Sequence, residues 1–179
     1  MFGLIALFDE KTEELIKDIW RELTERSISA YAGEVVDRKP HITFASYNNL
    51  NLSDFIEQMD VTYNNQSVID IKFSTIGSFL SSGALFFAPT VTKDLRELHS
   101  NHHRDFERFN DHPHSLYLPD NWIPHCTIAN RLSAEKLNEA FNYCSKRTSA
   151  IFGKIVEVAL IDVSEIGKAP IIYSKELKK

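Results

Sequence analysis

Apolar residues recur along this chain at two spacings. A spacing of three to four residues predicts a helix, because it places apolar side chains on one face, whereas alternation with polar residues predicts a strand. Helices are predicted from Asp9 or Thr12 to about Arg26, from the capping residue Ser53 over a short stretch, from Thr92 to Phe109, and from the capping residue Ser133 onwards. Strands are predicted at Met1–Phe8, Pro40–Tyr47, Ser67–Thr75, Ala84–Ala88, Pro124–Asn130, Ile155–Val163 and Pro170–Ser174.

The predicted helices and strands alternate, but many connections are short enough for hairpins, such as the turn at Ser81, Ser82 and Gly83. The sequence therefore predicts an α+β domain with a mainly antiparallel sheet and with the helices outside it. The residues expected to face the core from the last two predicted helices are Leu95, Leu98, Phe106 and Phe109, and Leu137, Ala140, Phe141 and Cys144.

A short internal repeat is the most informative feature of the sequence. Residues 40–45 read Pro-His-Ile-Thr-Phe-Ala and residues 124–129 read Pro-His-Cys-Thr-Ile-Ala, so Pro, His, Thr and Ala coincide and the varying positions stay apolar. A shuffled chain of this composition would contain two Pro-His-x-Thr matches with a probability of roughly 10⁻⁴. The pair therefore indicates a function, whereas a single copy would be typical of an ordinary strand.

Strand alternation places the histidine and the threonine of each copy on one face. His41 and Thr43, and likewise His125 and Thr127, are therefore expected to face a cleft, while the apolar residues between them anchor each strand to the core. Cys126 falls on the apolar side of its strand. We expect an inert buried thiol there rather than a nucleophile.

Paired histidines suit the cleavage of a phosphodiester, which needs one proton removed from the nucleophile and another delivered to the leaving oxygen. The unperturbed pKa of histidine, about 6.5, allows one copy to act as a base and the other as an acid. Each such transfer is worth about 10²–10⁴ in rate. Thr43 and Thr127 can donate hydrogen bonds to the charged phosphate oxygens. This division of roles requires no metal and no other cofactor.

The paired His-x-Thr motifs resemble those of the 2H phosphoesterase superfamily, in particular its 2′-5′ RNA ligase-like branch. Residues 122–129, Trp-Ile-Pro-His-Cys-Thr-Ile-Ala, are similar to the Trp-x-Pro-His-x-Thr-hydrophobic-Ala of that branch. The resemblance implies that residues 1–179 form one domain of two pseudo-symmetric lobes around a central cleft, with one motif in each half. It also implies that the catalytic residues are His41, Thr43, His125 and Thr127.

The same resemblance implies a metal-independent hydrolase that opens 2′,3′-cyclic phosphates on RNA ends or nucleotides, or joins RNA through 2′-5′ linkages. Many relatives have arginine directly after the alanine of the second motif, where this chain has Asn130 followed by Arg131. Strand alternation would turn Arg131 toward the face of His125, where it either binds the phosphate or stays a solvated charge at the strand end. Tyr117 and Trp122 either stack on a base of the substrate or pack against the core.

Charge and composition narrow the range of partners. The net charge of −5 argues against binding along a nucleic-acid duplex, which needs many contacts between basic residues and phosphates. A grip on one phosphate is compatible with this charge, and Arg38 and Lys39 either supply local positive potential or form an exposed turn. Cys126 and Cys144 can form neither a disulfide framework nor a four-ligand zinc site. The apolar start is too short for a signal peptide or a membrane span, so a cytoplasmic protein is expected.

The sequence leaves two other functions open. A protein that binds an RNA end or a nucleotide without turning it over would use the same cleft. A metal-dependent hydrolase could use His99, His102 and His103, which share one face of a predicted helix. However, His102 falls on the apolar stripe of that helix, and the chain contains no His-Glu-x-x-His signature. Ordinary structural histidines are therefore expected there.

Overall fold

Seven β-strands and four α-helices alternate along the chain in the computed structural model, which describes residues 1–80 and 82–179. The helices are α1 (Glu10–Glu25), α2 (Leu52–Tyr63), α3 (Lys93–Asp105) and α4 (Ala134–Arg147). The strands are β1 (Phe2–Phe8), β2 (His41–Tyr47), β3 (Ile69–Ser78), β4 (Leu85–Pro89), β5 (Cys126–Ala129), β6 (Ile151–Asp162) and β7 (Ile171–Glu176). Short 3₁₀ helices lie at Tyr31–Glu34 and Glu107–Phe109.

The strands pair antiparallel in the order β2-β1-β6-β3-β4-β5, and β7 pairs with β6 beside this path. The long strand β6 joins two lobes. Its residues 151–155 pair with β3, whereas its residues 157–161 lie between β1 and β7. One lobe therefore contains β2-β1-β6-β7 and the other contains β5-β4-β3-β6. This confirms the predicted α+β fold with two lobes of antiparallel sheet.

The two strands that carry the repeated motif, β2 and β5, contact each other although they lie at opposite ends of the pairing order. The sheet therefore curls until its two outer strands meet. Helix α1, which follows β1 along the chain, also contacts β5, the motif strand of the other lobe. Elements of both lobes thus surround the place where the two motifs come together.

Side-chain caps mark the start of each of the four helices, including Thr92 of α3, which accepts a hydrogen bond from the Leu95 amide at 3.2 Å. Asp9, one of the two predicted caps of α1, accepts a hydrogen bond from the Thr12 amide at 3.1 Å. Ser133 accepts one from the Lys136 amide at 3.2 Å, as predicted for α4. None of the helices in the described part of the chain has the length and apolar character needed to cross a membrane.

The prediction that Ser53 caps α2 is wrong, because the helix begins earlier. Asn51 is the capping residue, and it exchanges hydrogen bonds with Asp54. Its side-chain oxygen accepts from the Asp54 amide at 3.5 Å and its side-chain nitrogen donates to the Asp54 carboxylate at 2.9 Å. The first bond satisfies a backbone amide at the start of the helix, and the second, between two side chains, holds the Asn51 side chain in place.

Each strand begins one or two residues after its predicted start, except β6, which begins four residues before it. β5 begins at Cys126 rather than at Pro124, because proline has no amide proton to give to a neighbouring strand. β6 begins at Ile151 rather than at Ile155. Gly153 weakens the strand signal in this stretch, but pairing with β3 holds it in the sheet.

Two aromatic residues are more exposed than predicted. Phe141 is 45% exposed because the buried face of α4 is formed by Ala140 and Cys144, each 0% exposed, and Phe141 lies to one side of it. Phe109 is half-buried because α3 ends at Asp105 and Phe109 lies in the 3₁₀ helix that follows.

The connection between β3 and β4 fixes the end of β5. Of the predicted turn residues, Ser81 lies outside the described residues. Gly83 has a φ of +61° and its carbonyl accepts a hydrogen bond from the Leu132 amide at 3.0 Å. A Cβ at this position would collide with the Leu132 backbone, so glycine permits this close approach. The contact holds the chain directly after Arg131.

The main hydrophobic core lies between the sheet and the helices and includes Ile42, Phe44, Cys126 and Ile128 from the two motif strands. A second, smaller cluster consists of Ile5, Leu7, Ala159 and Ile161 on β1 and β6, with Val163 and Ala169 packed against it. β1 and β6 thus contribute apolar side chains to both clusters, and part of the second cluster lines the cavity described below.

Candidate active site

Burial along the two motif strands follows the predicted alternation. The four residues predicted to face a cleft, which are His41, Thr43, His125 and Thr127, are half-buried. The apolar residues between and after them, which are Ile42, Phe44, Cys126 and Ile128, are 0% exposed. The apolar side chains therefore anchor each strand, and the histidines and threonines lie on the other face.

The structure brings the two motifs together. β2 and β5 are in contact, and the thiol of Cys126 is a hydrogen-bond partner of the His41 backbone. The rings are near enough that a charge on His125 helps to lower the pKa of His41. Burial raises the pKa of the Cys126 thiol to about 12, which keeps it protonated, as expected for an inert core cysteine.

Both motif histidines are oriented by the same kind of hydrogen bond. Nδ1 of His41 lies 2.7 Å from the Lys39 carbonyl, and Nδ1 of His125 lies 2.7 Å from the Ile123 carbonyl. A carbonyl oxygen can only accept, so each Nδ1 carries a proton and each neutral ring has its lone pair on Nε2. The two rings therefore present the same nitrogen, Nε2, for proton transfer.

The pKa values of both histidines are lowered from 6.5. For His41 the main cause is burial, which disfavours the charged ring, and nearby positive charge on Arg38 and His125 adds to it. For His125 burial is again the main cause. In each case the carbonyl that accepts from Nδ1 opposes part of the shift by stabilising the protonated ring.

Each motif threonine is held by a tryptophan that precedes the other motif. Trp122 Nε1 donates to the Thr43 carbonyl at 2.9 Å, and Trp20 Nε1 donates to the Thr127 carbonyl at 3.2 Å. These are the two tryptophans of the chain. The reciprocal arrangement ties the position of each threonine to the opposite half of the sequence.

Two tyrosines contact the side chains of the motif threonines in the same crossed arrangement, in which each tyrosine precedes the other motif. Tyr117 lies against the Thr43 side chain, and Tyr31 lies against the Thr127 side chain. Burial raises the pKa of both phenols, and the hydrogen bond with the threonine offsets part of that rise. Sequence reasoning missed Trp20 and Tyr31. Their position ahead of the first motif, like that of Tyr117 and Trp122 ahead of the second, was the available signal.

Trp122 packs rather than facing open solvent. Its ring stacks on His99 with centroids 3.7 Å apart and meets Phe44 edge-on. Its indole nitrogen is used by the Thr43 carbonyl. These contacts favour the packing alternative for Trp122 and make it a positioning residue for the first motif.

The three histidines of α3 form hydrogen bonds with different partners. His102 is 0% exposed and lies between two phenols, with Nε2 2.7 Å from the Tyr47 hydroxyl and Nδ1 2.9 Å from the Tyr63 hydroxyl. Nε2 of His99 bonds the Tyr117 carbonyl and Nε2 of His103 bonds the Phe44 carbonyl. Within residues 1–80 and 82–179 no three His, Cys, Asp or Glu side chains converge as metal ligands would. The metal-site alternative therefore gains no support.

A cavity of about 720 Å³ opens beside the first motif, within the size range of small-molecule sites. Its lining includes His41, Thr43, Tyr31, Tyr117, the basic residues Arg38, Lys39 and Arg131, and the apolar residues Ile5, Ile161 and Val163. His125 and Thr127 are not part of this lining. They adjoin it through the contact between β2 and β5 and through Tyr31, which lines the cavity and contacts Thr127.

Arg131 does not sit where strand alternation predicts. β5 ends at Ala129, and Arg131 has a φ of +56°, so its direction is set by the turn and not by the strand. Its Nη2 lies 2.7 Å from the Glu34 carboxylate. It nevertheless lines the cavity together with His41.

The sequence of this chain is similar to those of proteins that are named as phosphoesterases. A sequence model of the 2′-5′ RNA ligase superfamily matches residues 10–166. A protein of Staphylococcus aureus (strain Newman) named "Putative phosphoesterase" is 25% identical over 141 residues, which cover 76% of this chain and 75% of that protein.

Two solved structures share the fold. E. coli LigT in apo form aligns with a TM-score of 0.64 at 12% identity, covering 99% of this chain and 97% of that one. E. coli LigT complexed with 3′-AMP aligns with a TM-score of 0.61 at 11% identity, covering 99% and 98%. The family model spans both motifs and most of the chain. The protein therefore belongs to the 2′-5′ RNA ligase superfamily of 2H phosphoesterases, as its two His-x-Thr motifs predict.

Proposed function

We propose that this protein is a phosphoesterase that opens a cyclic phosphodiester, such as a 2′,3′-cyclic phosphate on an RNA end or a nucleotide. The observation that carries the proposal is the matched geometry of His41 and His125. Each ring has Nδ1 tied to a backbone carbonyl at 2.7 Å and Nε2 left for proton transfer. His41 begins β2 and His125 directly precedes β5, and these two strands contact each other. Such a pair suits acid and base catalysis at one phosphate.

In the proposed reaction, Nε2 of one histidine takes a proton from the attacking water. A bond forms between phosphorus and the water oxygen, and the bond from phosphorus to one ribose oxygen breaks. Nε2 of the other histidine delivers a proton to that leaving oxygen. The hydroxyls of Thr43 and Thr127 donate hydrogen bonds to the non-bridging oxygens, where negative charge develops. The reverse reaction, which forms a phosphodiester, would use the same groups with the two histidine roles exchanged.

The name of one relative and the ligands crystallised with another support this proposal. The Staphylococcus aureus protein carries a phosphoesterase name, and LigT has been crystallised with 3′-AMP and with ATP. Nucleotide complexes of a protein with the same fold fit a nucleotide or an RNA end as the substrate here. A cytoplasmic location stays a prediction from the sequence.

Incubation with 2′,3′-cyclic nucleotides, with product analysis by ³¹P NMR, tests the proposal. We expect conversion to a nucleoside monophosphate at a rate that EDTA does not change, because the two histidines divide the acid and base roles without a metal. Binding without conversion would instead favour a non-catalytic protein that recognises an RNA end or a nucleotide.

The pH dependence of kcat/KM should be bell-shaped with its maximum below pH 6.5. The reaction needs one ring neutral and the other protonated, and this state is most populated between the two pKa values, which are both lowered from 6.5. Initial rates at substrate concentrations well below KM measure the profile of the free enzyme. A maximum above pH 6.5 would contradict the pKa shifts that burial causes.

A further inference from the structure

Four basic residues line the cavity beside the first motif, namely Arg38, Lys39, Arg131 and Lys168. Each lysine has an acidic neighbour, and that of Lys39, Glu13, also pairs with Lys17. Lys39 lies 3.9 Å from Glu13, and Lys168 lies 2.7 Å from Glu165. The two arginines, which both line the cavity, are paired with one and the same carboxylate.

Glu34 provides this shared carboxylate. Its Oε2 lies 2.7 Å from Nη2 of Arg131 and 3.9 Å from Nη1 of Arg38. Asp37 and Glu165 also line the cavity, so together with Glu34 its wall carries four basic and three acidic side chains, an excess of one positive charge, although the whole protein has a net charge of −5. A local excess of positive charge at a cavity favours an anion there.

Arg38 is held in place before any ligand binds. Its guanidinium lies 3.7 Å from the centre of the Tyr31 ring, and its Nη1 donates to the Tyr31 carbonyl at 2.5 Å. The side chain is 13% exposed. A guanidinium has five N–H donors in a planar fork that matches phosphate oxygens. Arg38 is therefore pre-organised to bind a phosphate that enters the cavity.

We propose that Arg38 and Arg131 form a second anion subsite, and that Glu34 occupies it in the free protein until a substrate phosphate replaces the carboxylate. The inference rests on the proposed function, since His41 lines the same cavity and would act on the cyclic phosphate. The substrate class that fits is a nucleotide with a cyclic phosphate and a second phosphate group. The apolar residues Ile5 and Ile161 in the lining offer contacts for its sugar and base.

The second phosphate could be a terminal monophosphate or an internucleotide phosphodiester. Three substrates separate these sources: adenosine 2′,3′-cyclic phosphate, the same nucleotide with a 5′-phosphate, and a dinucleotide that ends in a 2′,3′-cyclic phosphate. We expect kcat/KM to be about 10- to 100-fold higher for at least one of the two substrates with a second phosphate, because charge-assisted hydrogen bonds to the arginines hold it. Equal values for all three substrates would overturn the inference.

Arginine variants link this preference to the subsite. Arg131→Ala removes a side chain that is 71% exposed, so folding is not expected to suffer, and the preference for the second phosphate should shrink toward one. Arg38→Lys should reduce it as well, because lysine keeps the charge but lacks the fork. Lys136→Ala, which removes an exposed ion pair with Glu139 on α4, is the matched control and should leave the preference unchanged. A full preference in both arginine variants would contradict the assignment.

Glu34→Gln tests whether the carboxylate stands in for a ligand. With the charge removed, both arginines become available, so the KM for the preferred substrate should fall by about 3- to 10-fold, as expected for the loss of a partly exposed competing charge. The KM for the substrate without a second phosphate should stay the same. A higher KM for the preferred substrate would show that Glu34 supports the arginines rather than competing with the substrate.

A binding measurement distinguishes failure of this subsite from failure of the proposed function. Calorimetry should show that adenosine 3′,5′-bisphosphate, or a dinucleotide that ends in a 3′-phosphate, binds about 10-fold or more tightly than 3′-AMP, with the difference lost in Arg131→Ala. This result needs no turnover, so it stands even if no cyclic phosphate is hydrolysed. Equal affinities for all three ligands in a protein that does hydrolyse cyclic phosphates would remove the subsite and keep the proposed function.

Discussion

His41→Ala and His125→Ala should each lower kcat on a responsive cyclic phosphate by about 10²–10⁴. Each variant removes a ring whose Nδ1 is fixed by a carbonyl and whose Nε2 is left to transfer a proton. The two rings serve one reaction, so their effects should not multiply. The kcat of the double variant should be little lower than that of the less active single variant, because one histidine cannot complete the acid and base pair by itself.

His112→Ala is the matched control for these variants, because His112 is exposed in the loop after α3. It should keep wild-type turnover. Thermal melts should show that both motif variants stay folded, since the two rings are half-buried and the strands are anchored by the residues between them. Near-wild-type kcat in either motif variant would refute paired-histidine catalysis.

His102→Ala should lower the free energy of unfolding by about 3–5 kcal/mol, with little direct effect on the chemistry. His102 is 0% exposed and bridges the hydroxyls of Tyr47 and Tyr63. Its removal leaves a cavity and two buried hydroxyls without this partner. Urea titration compares the variant with His114→Ala, an exposed control. A loss of less than about 1 kcal/mol would show that the bridge is not needed for stability.

The same residue should give the stability a pH dependence. Burial holds the pKa of His102 well below 6.5, so the folded protein keeps it neutral while the unfolded chain binds a proton below about pH 6.5. The free energy of unfolding should therefore fall as the pH drops below about 6.5, and this slope should be smaller in His102→Ala. Urea titrations at several pH values measure both slopes.

Local signals in the sequence were enough to predict the motif strands and much of the helix framework. Alternation of apolar and polar residues predicted that His41 and Thr43 lie on one face of their strand and Ile42 on the other. In the structure Ile42 is buried and His41 and Thr43 are half-buried, as this alternation requires. The apolar stripe of α3 placed His102 in the core. Capping chemistry located Asp9 as well as Ser133, since each cap depends on residues within one helical turn.

Features that depend on distant residues could not be predicted in this way. The direction of Arg131 follows from a backbone turn held by Gly83, which lies in the connection between β3 and β4. The exchange of Trp20 and Trp122 between motifs follows from the curling of the sheet. Neither contact leaves a periodic pattern in the sequence. The pairing of Arg131 with Glu34 has the same origin.

A crystal structure of the protein with 3′-AMP bound would test most directly whether one phosphate lies between the two motif histidines. We predict a phosphate with oxygens about 2.7–3.2 Å from Nε2 of both His41 and His125, and within hydrogen-bond distance of the hydroxyls of Thr43 and Thr127. A nucleotide bound with its phosphate against only one of the two rings, or in another part of the molecule, would contradict the account.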